Sequence, residues 1–139
     1  MSVYDTDGLF VRSFGEETLK NPSDITAAND GRFMVVDFDD YVHIFSKDGD
    51  YLDKFKFQGC YYYPRIAFHM LSEHVVIAGT KKEEPVAVVE IFTKDGVFVR
   101  STQIHKRNSI RGMTVAKDGR IALLLQDIID DKICKVLVV

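Results

Sequence analysis

The side chains best suited to chemistry are imidazoles, carboxylates and thiols, and their spacing argues against catalysis. The four histidines are His43, His69, His74 and His105. No two stand at His-x-x-x-His spacing, and no Cys or carboxylate lies beside two of them, so they form no metal-ligand set. Each reads as a structural or surface histidine. Asp37, Asp39 and Asp40 cluster, with Asp48 and Asp50 nearby, which raises a calcium reading. Asp-rich turns are ordinary turn chemistry in β-proteins, and that is the preferred reading. Cys60 and Cys134 are isolated and make neither a disulfide framework nor a zinc site. They read as reduced thiols of an intracellular, cytoplasmic protein. No Gly-rich phosphate loop and no Gly-x-Ser-x-Gly elbow occurs. The expectation is a protein with no catalytic residue, no metal and no cofactor.

Binding chemistry is better represented. Gln58–Arg65 holds Tyr61, Tyr62, Tyr63 and Arg65, and His105–Arg111 holds Lys106, Arg107 and Arg111. Phenol rings stack on bases, and ammonium and guanidinium groups meet phosphates, so aromatic and basic residues on one rim are what single-stranded RNA needs. The opposing reading packs the tyrosines between elements and leaves the cations solvated. The Gly15–Lys20 segment is acidic and opposes phosphate, and Lys81-Lys82-Glu83-Glu84 is self-neutralising. The formal net charge of −3 argues against a whole-surface nucleic-acid binder. A protein or peptide partner is therefore the first expectation, and RNA the alternative.

These residues must be held by strands. The 139-residue chain is 46% apolar and 28% charged, which is ordinary globular composition for one domain. No apolar run approaches the roughly 20 residues that span a bilayer, and no signal peptide is visible. Three segments superimpose as an aromatic, two residues, Asp-Gly and a strand, beginning at Tyr4, Phe45 and Phe92. Phe-Val-Arg-Ser recurs at 10–13 and 98–101. The Asp-Gly pair supplies the positive φ that a tight hairpin requires. First strands are expected at 25–27, 66–68 and 113–115. Second strands follow at 32–36, 74–78 and 120–125, and third strands at 41–45, 86–92 and 133–139. The second strands are apolar on consecutive residues, the mark of burial on both faces. Fourth strands, at 9–14, 50–57 and 97–103, carry more charge, as an edge strand should. No window supports a long helix. Antiparallel four-stranded units of about 40–47 residues indicate an all-β fold, a β-propeller. Blade one spans about 24–57, blade two about 65–103, and blade three about 112–139.

Pro22-Ser23-Asp24-Ile25-Thr26-Ala27-Ala28-Asn29-Asp30-Gly31-Arg32-Phe33-Met34-Val35-Val36-Asp37, followed by Val42-His43-Ile44-Phe45 and Asp48-Gly49, resembles the NHL repeat. Asp24 stands where that family usually has Gly. The second and third repeats match in outline and lack the Asp that ends strand two, with Ala78 and Leu125 or Gln126 in its place. The resemblance, to the NHL domain of TRIM-type ubiquitin ligases, implies a rigid rim that presents loops. Several such domains bind RNA there, with Tyr62, Tyr63 and Arg65 as the matching positions. Some propellers are metal-dependent hydrolases, but the innermost strands here offer Ile25, Thr26, Ile66, Ala67, Met113 and Thr114, which hold no metal. His69 is the one candidate beside them.

Three blades are too few to close a disc. A blade three without its outer strand, and a strand at 9–14 without a blade, lead to the expectation of a head-to-tail homodimer. Strand 9–14 of each copy would complete blade three of the other in a six-bladed ring. The competing expectation is a fragment of a longer domain, with exposed apolar faces.

Overall fold

The computed structural model describes residues 1–106, 108–127, 129 and 134–138, with 105, 106, 134, 135, 137 and 138 described by backbone alone. A two-stranded hairpin, β1 (Ser2–Tyr4) and β2 (Phe10–Ser13), comes first. Sheet one is the meander β3 (Pro22–Ala27), β4 (Phe33–Asp37), β5 (Tyr41–Phe45) and β6 (Tyr51–Lys56). Sheet two is β7 (Tyr61–His69), β8 (His74–Lys81), β9 (Val86–Thr93) and β10 (Phe98–Lys106). Sheet three has β11 (Asn108–Val115), β12 (Ile121–Asp127) and β13 (Cys134–Val138). Every pairing is antiparallel, and the described residues include no helix.

The repeat seen in the sequence is a repeat of register. Tyr4 pairs with Phe10, Phe45 with Tyr51 and Phe92 with Phe98, and a bulge follows each pair. The β1–β2 hairpin therefore matches the third and fourth strands of a meander. The strand expected at 9–14 is β2, and it pairs within its own chain to β1, which is too short to be read from three residues. The first strands are longer than expected: β7 and β11 begin at Tyr61 and Asn108 rather than at 66 and 113. Glu73 takes the place of the turn glycine in the second repeat and adopts φ +55°.

The core lies between sheets. Met34, Val36, Val42 and Ile44 of sheet one pack on Ile66, Phe68, Val75 and Ile77 of sheet two. The opposite face of sheet two, with Val76, Ala78, Val89 and Ile91, packs on Ile110, Ile121, Leu123 and Leu125 of sheet three. Sheet two is thus buried on both faces, and so β8 and β9 are apolar at consecutive positions. Sheet one's other face is covered by Phe14, with Met1, Val3 and Leu19 around it. Outer strands dock the same way twice. A Cβ on Gly49 would lie 2.9 Å from Phe14, and one on Gly96 would lie 2.6 Å from the Phe55 ring. Each Phe sits on the Asp-Gly turn of the next sheet, a contact only glycine permits.

Candidate binding rim

Polar bonds tie neighbouring sheets at one rim. Ser23 Oγ donates to the Pro64 carbonyl at 2.7 Å, and Asp24 Oδ2 accepts from Ile66 N–H at 3.0 Å. Asp24, where the NHL pattern has Gly, thus spans sheets one and two. Thr80 Oγ1 accepts from Ile110 N–H at 3.1 Å and does the same between sheets two and three.

The segments that enter sheets one and two are held by buried carboxylates. Asp37 accepts from Lys20 N–H at 2.7 Å, Asn21 N–H at 2.8 Å and Phe38 N–H at 2.7 Å. In sheet two, Glu90 accepts from Gln58 N–H at 2.9 Å and Gly59 N–H at 3.0 Å, and from the Tyr61 hydroxyl. The register aligns Gly79, not Ala78, with Asp37, because Val36 pairs with Val42 and Ala78 with Val89. Tyr61 occupies the room that a side chain at 79 would need: a Cβ there would lie 2.5 Å from that of Tyr61. The acid has moved to the neighbouring strand and does the same work. Sequence reasoning missed Glu90, whose signal was one carboxylate inside the apolar run Val86–Phe92.

Tyr61 therefore does not belong to the rim. It is 2% exposed, stacks on Phe57 at 5.7 Å, and its phenol is pushed well above its ordinary range by burial and by the bond to Glu90. Tyr62 and Tyr63 do lie on the surface, at 51% and 59% exposed. They are in β7 rather than in a loop, where the pairing shifts between Tyr62 and Arg65 and Tyr63 takes φ +45°. The edge-to-face contact of Tyr63 with Phe38, 5.3 Å between centroids, holds its ring. Arg65 turns away toward sheet one, with Nη1 3.5 Å from the Ser23 carbonyl. Arg107 lies outside the described residues, and Lys106 is described by its backbone alone.

Tyr62, Tyr63 and Arg111 line one pocket of about 460 Å³ between sheets two and three, together with Lys81, Lys82 and Pro85. Thr80, Ser109 and Ile110 complete its wall. No carboxylate is among these lining residues. Arg111 is positioned by its Nε–H bond to Gln126 Oε1. Among the described residues neither Lys81 nor Lys82 pairs with an acid, although Glu83 and Glu84 follow them in sequence.

The donor atoms of Asp37, Asp39 and His43 lie within 4.8 Å of one another. Both Asp37 oxygens are already engaged by backbone donors. Asp39 accepts from Tyr41 N–H at 3.0 Å and bonds His43 Nε2 at 2.9 Å. The group is thus satisfied by the protein and stabilises the β4–β5 turn. Cys60 donates its thiol to Asp40 Oδ2 at 3.1 Å, and that bond, with desolvation, raises its pKa and disfavours a reactive thiolate.

A comparison with protein families gives no match. Curated proteins give none either. Solved structures do resemble the chain. A protein of unknown function from Bacteroides caccae matches with a TM-score of 0.60 at 11% identity, over 99% of this chain and 53% of its own. The β-propeller domain of Myceliophteria thermophila Cps50 (Swd1) matches with a TM-score of 0.57 at 12% identity, over 99% of this chain and 58% of its own. The chain spans a little over half the length of these structures. Stacked antiparallel meanders and this likeness define the fold as that of a β-propeller.

Proposed function

We propose that the chain is a non-catalytic binding scaffold whose rim pocket, between β7–β8 and β11, receives a segment of a partner protein. The observation that carries this reading is the convergence of Tyr62, Tyr63, Lys81, Lys82 and Arg111 on one concavity with Pro85 and Ile110. Apolar floor and cationic border suit an extended peptide with an apolar anchor flanked by acidic residues. Strands carry Tyr62, Tyr63, Lys81, Ile110 and Arg111, so little backbone ordering opposes binding there.

Single-stranded RNA is the second reading. It is favoured by the exposed Tyr62 ring beside three cations and by the NHL-like repeat at 22–49. The Tyr63 ring, already set against Phe38, is less available for stacking on bases, which favours the peptide.

Fluorescence anisotropy separates the two. The probes are a labelled peptide of alternating glutamate and leucine, its lysine-leucine counterpart, and labelled oligouridylate, each at low and high salt. The acidic peptide is expected to bind alone, and Arg111→Ala or Tyr62→Ala to weaken it at least about tenfold, the effect of 1.4 kcal/mol. Oligouridylate binding that falls steeply with salt transfers the site to RNA. Binding of the acidic peptide that neither variant changes removes this pocket from the reading.

A further inference from the structure

The boundary between sheets two and three repeats the boundary between sheets one and two with smaller side chains. Val42 pairs with Phe55 and Val89 with Thr102, so Thr102 holds the place of Phe55. Tyr41 pairs with Lys56 and Val88 with Gln103, so Ile104 holds the place of Phe57, one residue further on. Phe68 pairs with Val75 and Val115 with Ile121, so Val115 holds the place of Phe68. Phe55, Phe57 and Phe68 all pack in the first boundary. Thr102, Ile104 and Val115 leave a cavity of about 390 Å³ in the second, and all three line it. It shares no lining residue with the rim pocket.

The rest of the lining is apolar on Val76, Val89 and Ile91 and cationic or polar on His69, His74 and Arg100, and it includes no carboxylate. Ile91 pairs with Arg100 as Ile44 does with Asp53, so a cation stands where sheet one has an acid. Acids close in sequence are engaged elsewhere. Glu73 accepts from Asn29 Nδ2 at 2.6 Å and from Lys94 Nζ at 3.2 Å, and Asp118 accepts from Arg120 Nε at 2.8 Å. Among the described residues no acid pairs with Arg100. His69 ties the cavity wall together: its Nδ1 lies 2.5 Å from Ser72 Oγ and its Nε2 3.4 Å from the Lys117 carbonyl, in the β11–β12 turn. We propose that this cavity binds a small aromatic carboxylate. Its ring takes the room that phenylalanine side chains fill at the first boundary, against Val76, Val89 and Ile91. Its carboxylate meets the guanidinium of Arg100, whose planar fork matches two oxygens. A few polar groups around an apolar volume of this order are the usual make-up of a small-molecule site.

Titration of the purified chain followed by NMR tests this, with 3-phenylpropanoate, 3-phenylpropanamide and inorganic phosphate as probes. The carboxylate is expected to bind at least about tenfold more tightly than the amide, a difference of 1.4 kcal/mol, and more tightly than phosphate. Thr102→Phe, which restores the ring of the first boundary, is expected to abolish binding of carboxylate and amide alike. Arg100→Gln, at an exposed position, is expected to keep the fold and to bring the carboxylate down to the affinity of the amide. Tyr62→Ala, in the rim pocket, leaves the carboxylate affinity unchanged, so failure of this site and failure of the rim reading are distinguishable. A native chain that binds none of the probes, or binds acid and amide equally, overturns the proposal. Phosphate binding as tight as that of the carboxylate removes the aromatic part of it. Carboxylate binding that survives both Thr102→Phe and Arg100→Gln places the ligand outside this cavity and overturns the assigned site.

Discussion

Asp37 and Glu90 are the residues on which strand order depends most directly. Each neutralises backbone donors that enter a sheet, and a buried N–H without an acceptor costs about 1–3 kcal/mol. Glu90→Ala strands the Gln58 and Gly59 N–H groups and the Tyr61 hydroxyl. We expect it to lower stability by about 3 kcal/mol or more in urea unfolding. Tyr61→Phe removes one donor and should cost about 1–2 kcal/mol. Tyr61 also sets an alkaline limit. Its folded pKa lies above the ordinary 10.0, so its stabilisation is fully present below that pH and is lost as pH rises beyond it. Native protein should lose stability above about pH 10, and Tyr61→Phe should flatten that decline. An identical alkaline slope in the two proteins would assign it elsewhere.

At the scale of elements, much of the hairpin architecture was legible in advance. Asp-Gly pairs and the aromatics Tyr4, Phe45 and Phe92 mark the hairpins directly, because positive φ and the ring contacts both need particular residues. The inner ends of β7 and β11 were not legible. Tyr61 to Pro64 reads as a loop because Pro64 and a bulge interrupt the pattern, although cross-strand pairing to β8 continues past them. The rim pocket was half legible. Tyr62, Tyr63 and Arg111 were found by type, but Lys81 and Lys82 were discounted because a sequence does not show which way adjacent charges point. The docking of outer strands on Asp-Gly turns gives a test at this scale. Gly8 and Gly96 both have positive φ, and only Gly96 faces a ring. Gly8→Ala should cost about 1 kcal/mol of backbone strain. Gly96→Ala should cost that and about 1–3 kcal/mol of overpacking against Phe55. Equal losses in thermal unfolding would mean that the Phe55 contact contributes little.

For the whole molecule, the core is shared between neighbouring sheets rather than held within any one of them. The long-range order of such a stack comes from faces rather than from any single motif. For this reason 11–12% identity to solved structures is enough to retain it.

The acid of sheet two, carried on β9 rather than β8, restricts which substitutions that sheet accepts. Tyr61 fills the volume that an aspartate at position 79 would claim, so the two arrangements cannot coexist within one sheet. No single substitution converts one into the other: Gly79→Asp needs a smaller residue at 61, and that change deprives Glu90 of a partner. Each sheet is therefore locked by sterics into its own way of anchoring the chain that enters it, an aspartate at the end of β4 or a glutamate within β9.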